Sequence, residues 1–154
     1  MRLSTRGRYA VMAMVELAQR EAAGPGPVSL GEIAAAQLIS LAYLEQLFGP
    51  LRRAGLVSSV RGAGGGYRLA RPAGAIAIAT IVEAVDEPIR ATRCEEGSPG
   101  CMAGRRCRTH DLWAELGEQI RLFLAGMTLA DVVEGRVSGR AAAPRADAPA
   151  LTGP

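Results

Sequence analysis

Residues 29–54, SLGEIAAAQLISLAYLEQLFGPLRRA, contain the pattern that decides the fold. Ser29 and Glu32 have the spacing of a capping box, in which each side chain accepts a hydrogen bond from the other residue's backbone N–H, so they predict the start of a short helix. Ser40 can cap a second helix through its hydroxyl oxygen. The apolar residues of this second helix recur at the i, i+3, i+4, i+7 spacing of a buried face: Leu44, Leu47, Phe48 and Leu51. Two short helices joined this closely predict a helix-turn-helix.

The segment that follows predicts a β-hairpin. Gly55 can end the second helix, and residues 56–60 (LVSSV) have the composition of a strand. A glycine-rich turn over residues 61–66 leads to a returning strand over residues 67–70 (YRLA). A helix-turn-helix followed by a hairpin has the element order of a winged helix. We therefore predict a winged helix-turn-helix region over residues 1–72.

The C-terminal half predicts a long amphipathic helix from about His110. Its apolar residues keep a helical spacing: Leu112, Trp113, Leu116, Ile120, Phe123 and Leu124. Such a stripe fits either the core of this chain or the seam of a dimer, and we predict a dimerisation helix. Residues 73–135 then contain a cysteine-bearing loop and the dimerisation helices, and residues 136–154 form a disordered tail. The predicted fold class is mainly α with a small β-hairpin.

Size and composition exclude several classes of protein. The 154 residues, 49% of them apolar, fit one compact domain and exclude a large multidomain enzyme. The aromatic residues are few, with one Trp, three Tyr and two Phe, so we expect a core of thin helix-forming side chains. No stretch is apolar over the roughly 18 residues that a membrane span requires. The N-terminus lacks the pattern of a cleavable signal peptide, and we expect a cytoplasmic protein without a membrane partner.

The charge is distributed unevenly along the chain. Residues 1–72 contain nine Arg and four acidic residues, a balance of +5, whereas residues 73–154 contain nine Arg and eleven acidic residues, a balance of −2. A basic region that also predicts a helix-turn-helix favours a polyanionic partner, here double-stranded DNA. Charge alone fits a solvated basic surface equally well.

Candidate DNA-contacting residues lie on the second helix and on the hairpin. The first turns of the helix would present polar side chains to the duplex: Ser40, Tyr43, Glu45 and Gln46. Glu45 can accept a hydrogen bond from a cytosine amino group. Its charge repels phosphates and penalises sequences that offer it no donor, so it can discriminate between sequences. Arg61 and Arg68 flank the glycine turn, where an arginine fits the negative potential of a narrow minor groove.

The chain's only three cysteines and its only histidine lie within 17 residues, in the pattern Cys94-x6-Cys101-x5-Cys107-x2-His110. Thiolates are soft donors and imidazole is borderline, which suits an iron-sulfur cluster or zinc. The gaps between the ligands are longer than those of the CxxC knuckles in structural zinc sites, and they favour a cluster. The spacing alone leaves both metals open.

Four segments resemble the IscR family of bacterial transcription regulators that respond to iron-sulfur clusters. They are MRLSTRGRYAV, ISLAYLEQLFGPLRRAGLVSSVRGAGGGYRL, AVDEPIRATRC and the CxxHDLW motif that begins at Cys107. The resemblance covers residues 1 to about 135. It implies a homodimeric winged-helix repressor and activator in which Cys94, Cys101, Cys107 and His110 hold a [2Fe-2S] cluster.

The same resemblance implies how the regulator works. The cluster-bearing dimer would repress the genes for cluster assembly, and the cluster-free dimer would bind a second class of DNA sites that Glu45 distinguishes from the first. The positions that match family residues near DNA are Ser40, Gln46, Ser59 and Arg61. The chain departs from the family pattern at Ala42, where a serine is usual, at Ala63, where a proline is usual, and at Pro50, inside the second helix.

Two other functions are compatible with these motifs. The first is a winged-helix regulator that binds zinc or senses thiol oxidation, and the second is an iron-sulfur carrier or redox protein. The sequence has no CxxC pair and no second histidine, which disfavours turnover chemistry, so we predict that the chain is not an enzyme. The expected partners are operator DNA, a second copy of the chain, and proteins that donate iron-sulfur clusters.

Overall fold

The computed structural model describes residues 4–86, 89, 91 and 105–137, and over these residues it is mainly helical with one two-stranded antiparallel sheet. The helices are α1 (Thr5–Ala23), α2 (Leu30–Gln37), α3 (Leu41–Arg53), α4 (Ile78–Val85), α5 (His110–Ala125) and α6 (Leu129–Val133). The strands are β1 (Val57–Val60) and β2 (Gly66–Leu69), followed by a 3-10 turn at Ala73–Ala75 that we did not predict. The predicted fold class is confirmed.

The helix caps form as the sequence predicts. The Ser29 backbone N–H and hydroxyl each donate to the Glu32 carboxylate at 2.9 Å, and the Glu32 N–H donates to the Ser29 hydroxyl oxygen. The backbone hydrogen bond, followed by the hydroxyl hydrogen bond, lowers the pKa of Glu32. Ser40 caps α3, and Gly55 beyond its end has φ +70°, a left-handed conformation that glycine adopts without strain.

The core lies between α1, the inner face of α3, and α4. All four residues of the predicted α3 stripe are fully buried, and they pack in one cluster with Met14 and Leu17 of α1 and with Ile81 of α4. Ala10 and Ala13 are also fully buried, so α1 approaches its neighbours closely, as expected for an alanine-rich core. The cluster extends to Met127 and Leu129, so the predicted regions 1–72 and 73–135 share it.

The hairpin is attached to the rest of the fold by a backbone contact that we did not predict. β1 and β2 pair in register from Val57 opposite Leu69 to Val60 opposite Gly66. On the other side of β2, Val28 and Tyr67 exchange two backbone hydrogen bonds of 2.9 and 2.7 Å. The segment before α2 therefore extends the sheet by one bridge and fixes the hairpin against the helices.

Helix α5 differs from the others because it buries almost nothing. Gly117 is its only buried residue, while Leu112 is 61% exposed and Trp113 is 44% exposed. The apolar stripe of α5 is thus largely open to solvent in the described part of a single chain. Residues 138–154, most of the predicted disordered tail, lie outside the described residues.

Gly66 should tolerate no side chain. A Cβ at this position would lie 2.3 Å from the carbonyl oxygen of Val28, too close for any carbon atom. We expect Gly66→Ala to lower the free energy of unfolding by about 1–3 kcal/mol, since the bridge must open to admit the methyl group. Urea denaturation at fixed protein concentration measures this. Gly74→Ala is the matched control, because its Cβ would meet nothing within 4 Å, and equal stability of the two variants would contradict the prediction.

Candidate nucleic-acid interface and metal ligands

Helix α3 has a buried face and an exposed face, and the predicted base-reading residues lie on the exposed one. Glu45 and Gln46 are exposed, one turn beyond the N-terminus of the helix. The Ser40 hydroxyl oxygen accepts a hydrogen bond from the Tyr43 N–H at 3.2 Å, which leaves the hydroxyl hydrogen able to donate to a phosphate. These positions can therefore reach a duplex laid along the exposed face.

Tyr43 has a role in packing that we did not predict. Its ring is half-buried and meets the ring of Tyr9 edge-to-face, with centroids 5.8 Å apart. The contact joins α3 to α1, so the body of the side chain is held by the fold rather than projecting freely from the helix. Tyr43 thus differs from exposed Glu45 and Gln46, and only its polar end is suited to contact DNA.

Pro50 does not interrupt α3, which continues to Arg53. Proline has no backbone N–H, so the carbonyl of Gln46 lacks the donor that an ordinary residue at position 50 would supply. The carbonyls of the last turn still accept backbone hydrogen bonds, from the N–H groups of Ala54, Gly55 and Leu56. Arg52 and Arg53 are exposed in that turn, where positive charge is favoured by the helix dipole.

The hairpin brings some of the predicted DNA contacts together and separates others. Arg61 is exposed at the start of the turn, in which Gly62 and Gly64 have φ +101° and +74°. Ser59 is exposed and pairs with Tyr67, whereas Arg68 is half-buried and pairs with Ser58. Because neighbouring residues of a strand point to opposite faces, Ser59 and Arg68 lie on opposite faces of the hairpin. The two side chains would therefore approach a bound duplex from different faces of the hairpin.

Two of the four predicted metal ligands lie together at the start of α5. His110 is the first residue of α5, and its N–H donates to the carbonyl of Cys107 at 3.1 Å, so both residues belong to one turn. Cys107 is half-buried, and its Sγ lies 3.5 Å from Thr109 Oγ1. A thiolate and an imidazole on one turn fit the donor chemistry of an iron-sulfur or zinc centre. Cys94 and Cys101 lie outside the described residues.

The chain lies against the middle of α5 at Ala91, shortly before the cysteine segment of residues 94–107. A Cβ on Gly117 would lie 2.8 Å from the Ala91 backbone nitrogen, so the backbone preceding Cys94 packs directly on the helix at a glycine. The chain leaves the segment at Cys107 and enters α5 at His110. Ala91, before the cysteine segment, and Cys107, its last residue, therefore both lie next to α5. Three exposed arginines, Arg105, Arg106 and Arg108, flank Cys107 in the sequence.

Two residues that position the hairpin were not predicted from the sequence. The Glu21 carboxylate accepts a hydrogen bond from the Leu69 N–H at 3.3 Å, and the Arg71 guanidinium donates to carbonyl oxygens at the end of α3. These contacts join residues 16 to 48 positions apart. No local pattern in the sequence signals pairs so far apart.

Comparison with known proteins assigns the chain to a family. The model of the Rrf2 family, described as an iron-dependent transcriptional regulator, matches residues 3–135. The chain belongs to the Rrf2 family. It is also 52% identical to the HTH-type transcriptional regulator IscR of Yersinia pseudotuberculosis over 136 residues, which is 88% of this chain and 81% of the relative. Rrf2 membership makes the chain a helix-turn-helix transcription regulator of the IscR type rather than an enzyme.

Solved structures of two regulators share the Rrf2 fold of this chain. IscR of T. potens matches with a TM-score of 0.71 and 36% identity, covering 94% of each chain. CymR, the global cysteine regulator of B. subtilis, matches with a TM-score of 0.73 and 36% identity, covering 88% of this chain and 98% of its own. None of the helices in the described part of this Rrf2 chain is long and apolar enough to cross a bilayer.

Replacing Arg61 should weaken the binding of this Rrf2 chain to DNA. We expect Arg61→Ala to reduce affinity for a duplex enriched by the wild-type protein from a random library, and to lower the slope of log K against log salt by about one. Arg61→Lys should keep the slope because it keeps the charge. Fluorescence anisotropy at several salt concentrations measures both quantities. An alanine variant with unchanged affinity and slope would exclude a contact between Arg61 and DNA.

Proposed function

We propose that this Rrf2 protein is a homodimeric repressor and activator that senses iron-sulfur cluster status through a [2Fe-2S] cluster. The predicted ligands are Cys94, Cys101, Cys107 and His110. The observation that carries the proposal is the position of Cys107 and His110 in one turn at the start of α5. A ligand pair at this point links metal binding directly to the helix with the open apolar face.

The donor set supports a cluster more than it supports zinc. Three thiolates can hold iron as they do in other iron-sulfur proteins, and the long gaps between ligands suit a loop that wraps a cluster. A bound [2Fe-2S] cluster would supply a centre whose occupancy follows the supply of iron and sulfide. Imidazole binds iron less strongly than thiolate does, so the bond between iron and His110 would break most easily when the cluster is lost.

Packing contacts within the chain can transmit a change in metal ligation at His110 to the DNA-binding region. His110 begins α5, so a change in what its imidazole binds acts on the first turn of that helix. Ala91 packs against Gly117, so a change in the path of the cysteine segment also acts on the middle of α5. Helix α5 packs against α4, and α4 packs against α1 and α3 in the shared core. This continuous packing connects the predicted metal ligands with α3, the helix proposed to read DNA and called the reading helix below.

The exposed face of α5 supports the homodimer. Its open apolar side chains include Leu112, Trp113, Leu116, Leu122 and Phe123. Monomers rarely leave so large an apolar surface in water, and a second copy of the same helix would cover it. The metal ligand His110 would then lie at one end of the dimer seam.

We propose that α3 and the hairpin read double-stranded operator sites. The proposed contacts are Ser40, Tyr43, Glu45, Gln46, Ser59, Arg61 and Arg68. Exposed Glu45 would favour sites that offer a cytosine amino group and penalise sites that offer its carboxylate no hydrogen-bond donor. The genes we propose as targets are those for iron-sulfur cluster assembly, and cluster donor proteins are the proposed source of the cluster. The similarity to IscR of Yersinia pseudotuberculosis supports this choice of signal.

Thiol sensing is the second candidate function. The structural similarity to CymR, the global cysteine regulator of B. subtilis, favours it, because the same fold there serves a regulator with a different signal. In this chain a thiol sensor would use Cys107, which is half-buried and flanked by arginines. Metal and sulfide content separates the two candidates.

The cluster can be tested on the full-length protein. Anaerobic reconstitution with iron and sulfide should give a visible absorption spectrum and about two iron and two sulfide per chain, as the cluster formula requires. Cys94→Ala, Cys101→Ala and Cys107→Ala should each remove the spectrum, because the chain has no other thiolate to substitute. Thr109→Ala is the control, since Thr109 lies between two ligands without being one. One zinc per chain without sulfide would overturn the proposal in favour of a zinc regulator.

The dimer requires the apolar face of α5. We expect Trp113→Arg to convert the protein to monomers at micromolar concentration, because a charge would be buried in the seam. Glu115→Gln is the matched control on the same helix, since Glu115 is exposed and lies outside the apolar stripe. Analytical ultracentrifugation measures the mass of each. A Trp113→Arg variant that remains dimeric would show that another surface holds the two copies together.

A further inference from the structure

The hairpin joins α3 through a short turn. Helix α3 ends at Arg53 and β1 begins at Val57, and between them Gly55 has φ +70°. The N–H groups of Gly55 and Leu56 donate back to carbonyls of α3 at 3.0 Å, and these bonds leave the carbonyl oxygens of Ala54 and Gly55 available to other donors. Pro50 also removes one hydrogen bond from the last turn of α3.

Arg71 closes this connection from the far end of the hairpin. Its Nε donates to the carbonyl oxygen of Gly55 at 3.2 Å, and its Nη2 donates to that of Ala54 at 3.3 Å. The last carbonyls of a helix have no helical N–H to accept from and carry partial negative charge, so a guanidinium is well suited to them. The Ala70 N–H also donates to Leu56 O at 3.0 Å, so both ends of the hairpin meet at the end of α3.

We infer that Arg71 is a positioning residue that sets the angle between α3 and the hairpin. This angle decides whether Glu45 and Gln46 on α3 can reach one groove while Arg61 at the hairpin tip reaches the next. The inference rests on the proposed reading of DNA by these two elements. A planar guanidinium that bridges two carbonyls fixes direction better than a single hydrogen bond does.

The first test needs no DNA. Hydrogen-deuterium exchange of the DNA-free protein should be faster in Arg71→Ala than in the wild type at the amides of residues 54–60 and 66–70, with unchanged protection in α1. Arg68→Ala is the matched control, because it removes an arginine from the same hairpin and leaves both carbonyl contacts in place. Unchanged exchange in Arg71→Ala would overturn the inference even if the protein proved to bind no specific operator.

The second test measures DNA binding with a duplex enriched by the wild-type protein from a random library. Arg71→Ala should lose about tenfold in affinity for this duplex, as expected when charged hydrogen bonds are removed. Its affinity for random duplex and the slope of log K against log salt should stay unchanged, because Arg71 does not contact phosphate. Equal losses on both duplexes, with the slope reduced by about one, would instead identify Arg71 as a phosphate contact and overturn the inference.

Discussion

The contact between Phe48 and Tyr67 holds together the elements that a winged helix must keep in fixed relation. Phe48 is fully buried on α3, and its ring meets that of Tyr67 at a tilted angle with centroids 4.8 Å apart. The backbone of Tyr67 pairs with Val28 just before α2. The aromatic pair and the bridge to Val28 therefore hold α3, the hairpin and the start of the helix-turn-helix together, and the contacts of Arg71 add to them at the end of α3. The polar residues exposed on α3 depend on this apolar contact for their position.

Helix α5 is held to the core by fewer buried side chains than the other long helices. Leu124 packs partly buried against the core, and Gly117, the one fully buried residue of α5, admits the backbone at Ala91. A helix held so lightly can respond to changes at its ends or along its exposed face. The arrangement suits a regulator, because the helices around α3 supply the stable core, while α5, which begins at the predicted metal ligand His110, is less constrained.

The sequence predicted the parts of the fold that depend on neighbouring residues. Capping residues such as Ser29 and Ser40, and the α3 stripe from Leu44 to Leu51, act over three to seven positions, and each formed as expected. The contacts of Tyr67 with Val28 and of Arg71 with Gly55 could not be predicted, because they depend on how distant segments meet. Tyr43 was predicted as a DNA contact from its place on α3, and its packing on Tyr9 also depends on a distant segment.

The candidate site also combines features that neighbouring residues predict with features that depend on distant segments. The predicted ligand set of Cys94, Cys101, Cys107 and His110 rests on the sequence, because no other cysteine or histidine exists in the chain. The choice between iron and zinc depends on the geometry around all four residues, and Cys94 and Cys101 lie outside the described residues. From the sequence, the apolar stripe of α5 fits either a protein core or a dimer interface. Only the structure shows that this stripe is largely exposed to solvent in the described part of the chain.

We propose that metal ligation at the start of α5 changes which DNA this Rrf2 protein prefers. The measurement is selection from one random duplex library with cluster-loaded protein, and in parallel with protein in which all three cysteines are alanine. We predict two distinct enriched sequence classes, both bound by dimers, with the cluster-free protein retaining specific binding to its own class. Enrichment of the same sequences with the same affinities by both proteins would show that ligation does not change the choice of DNA site.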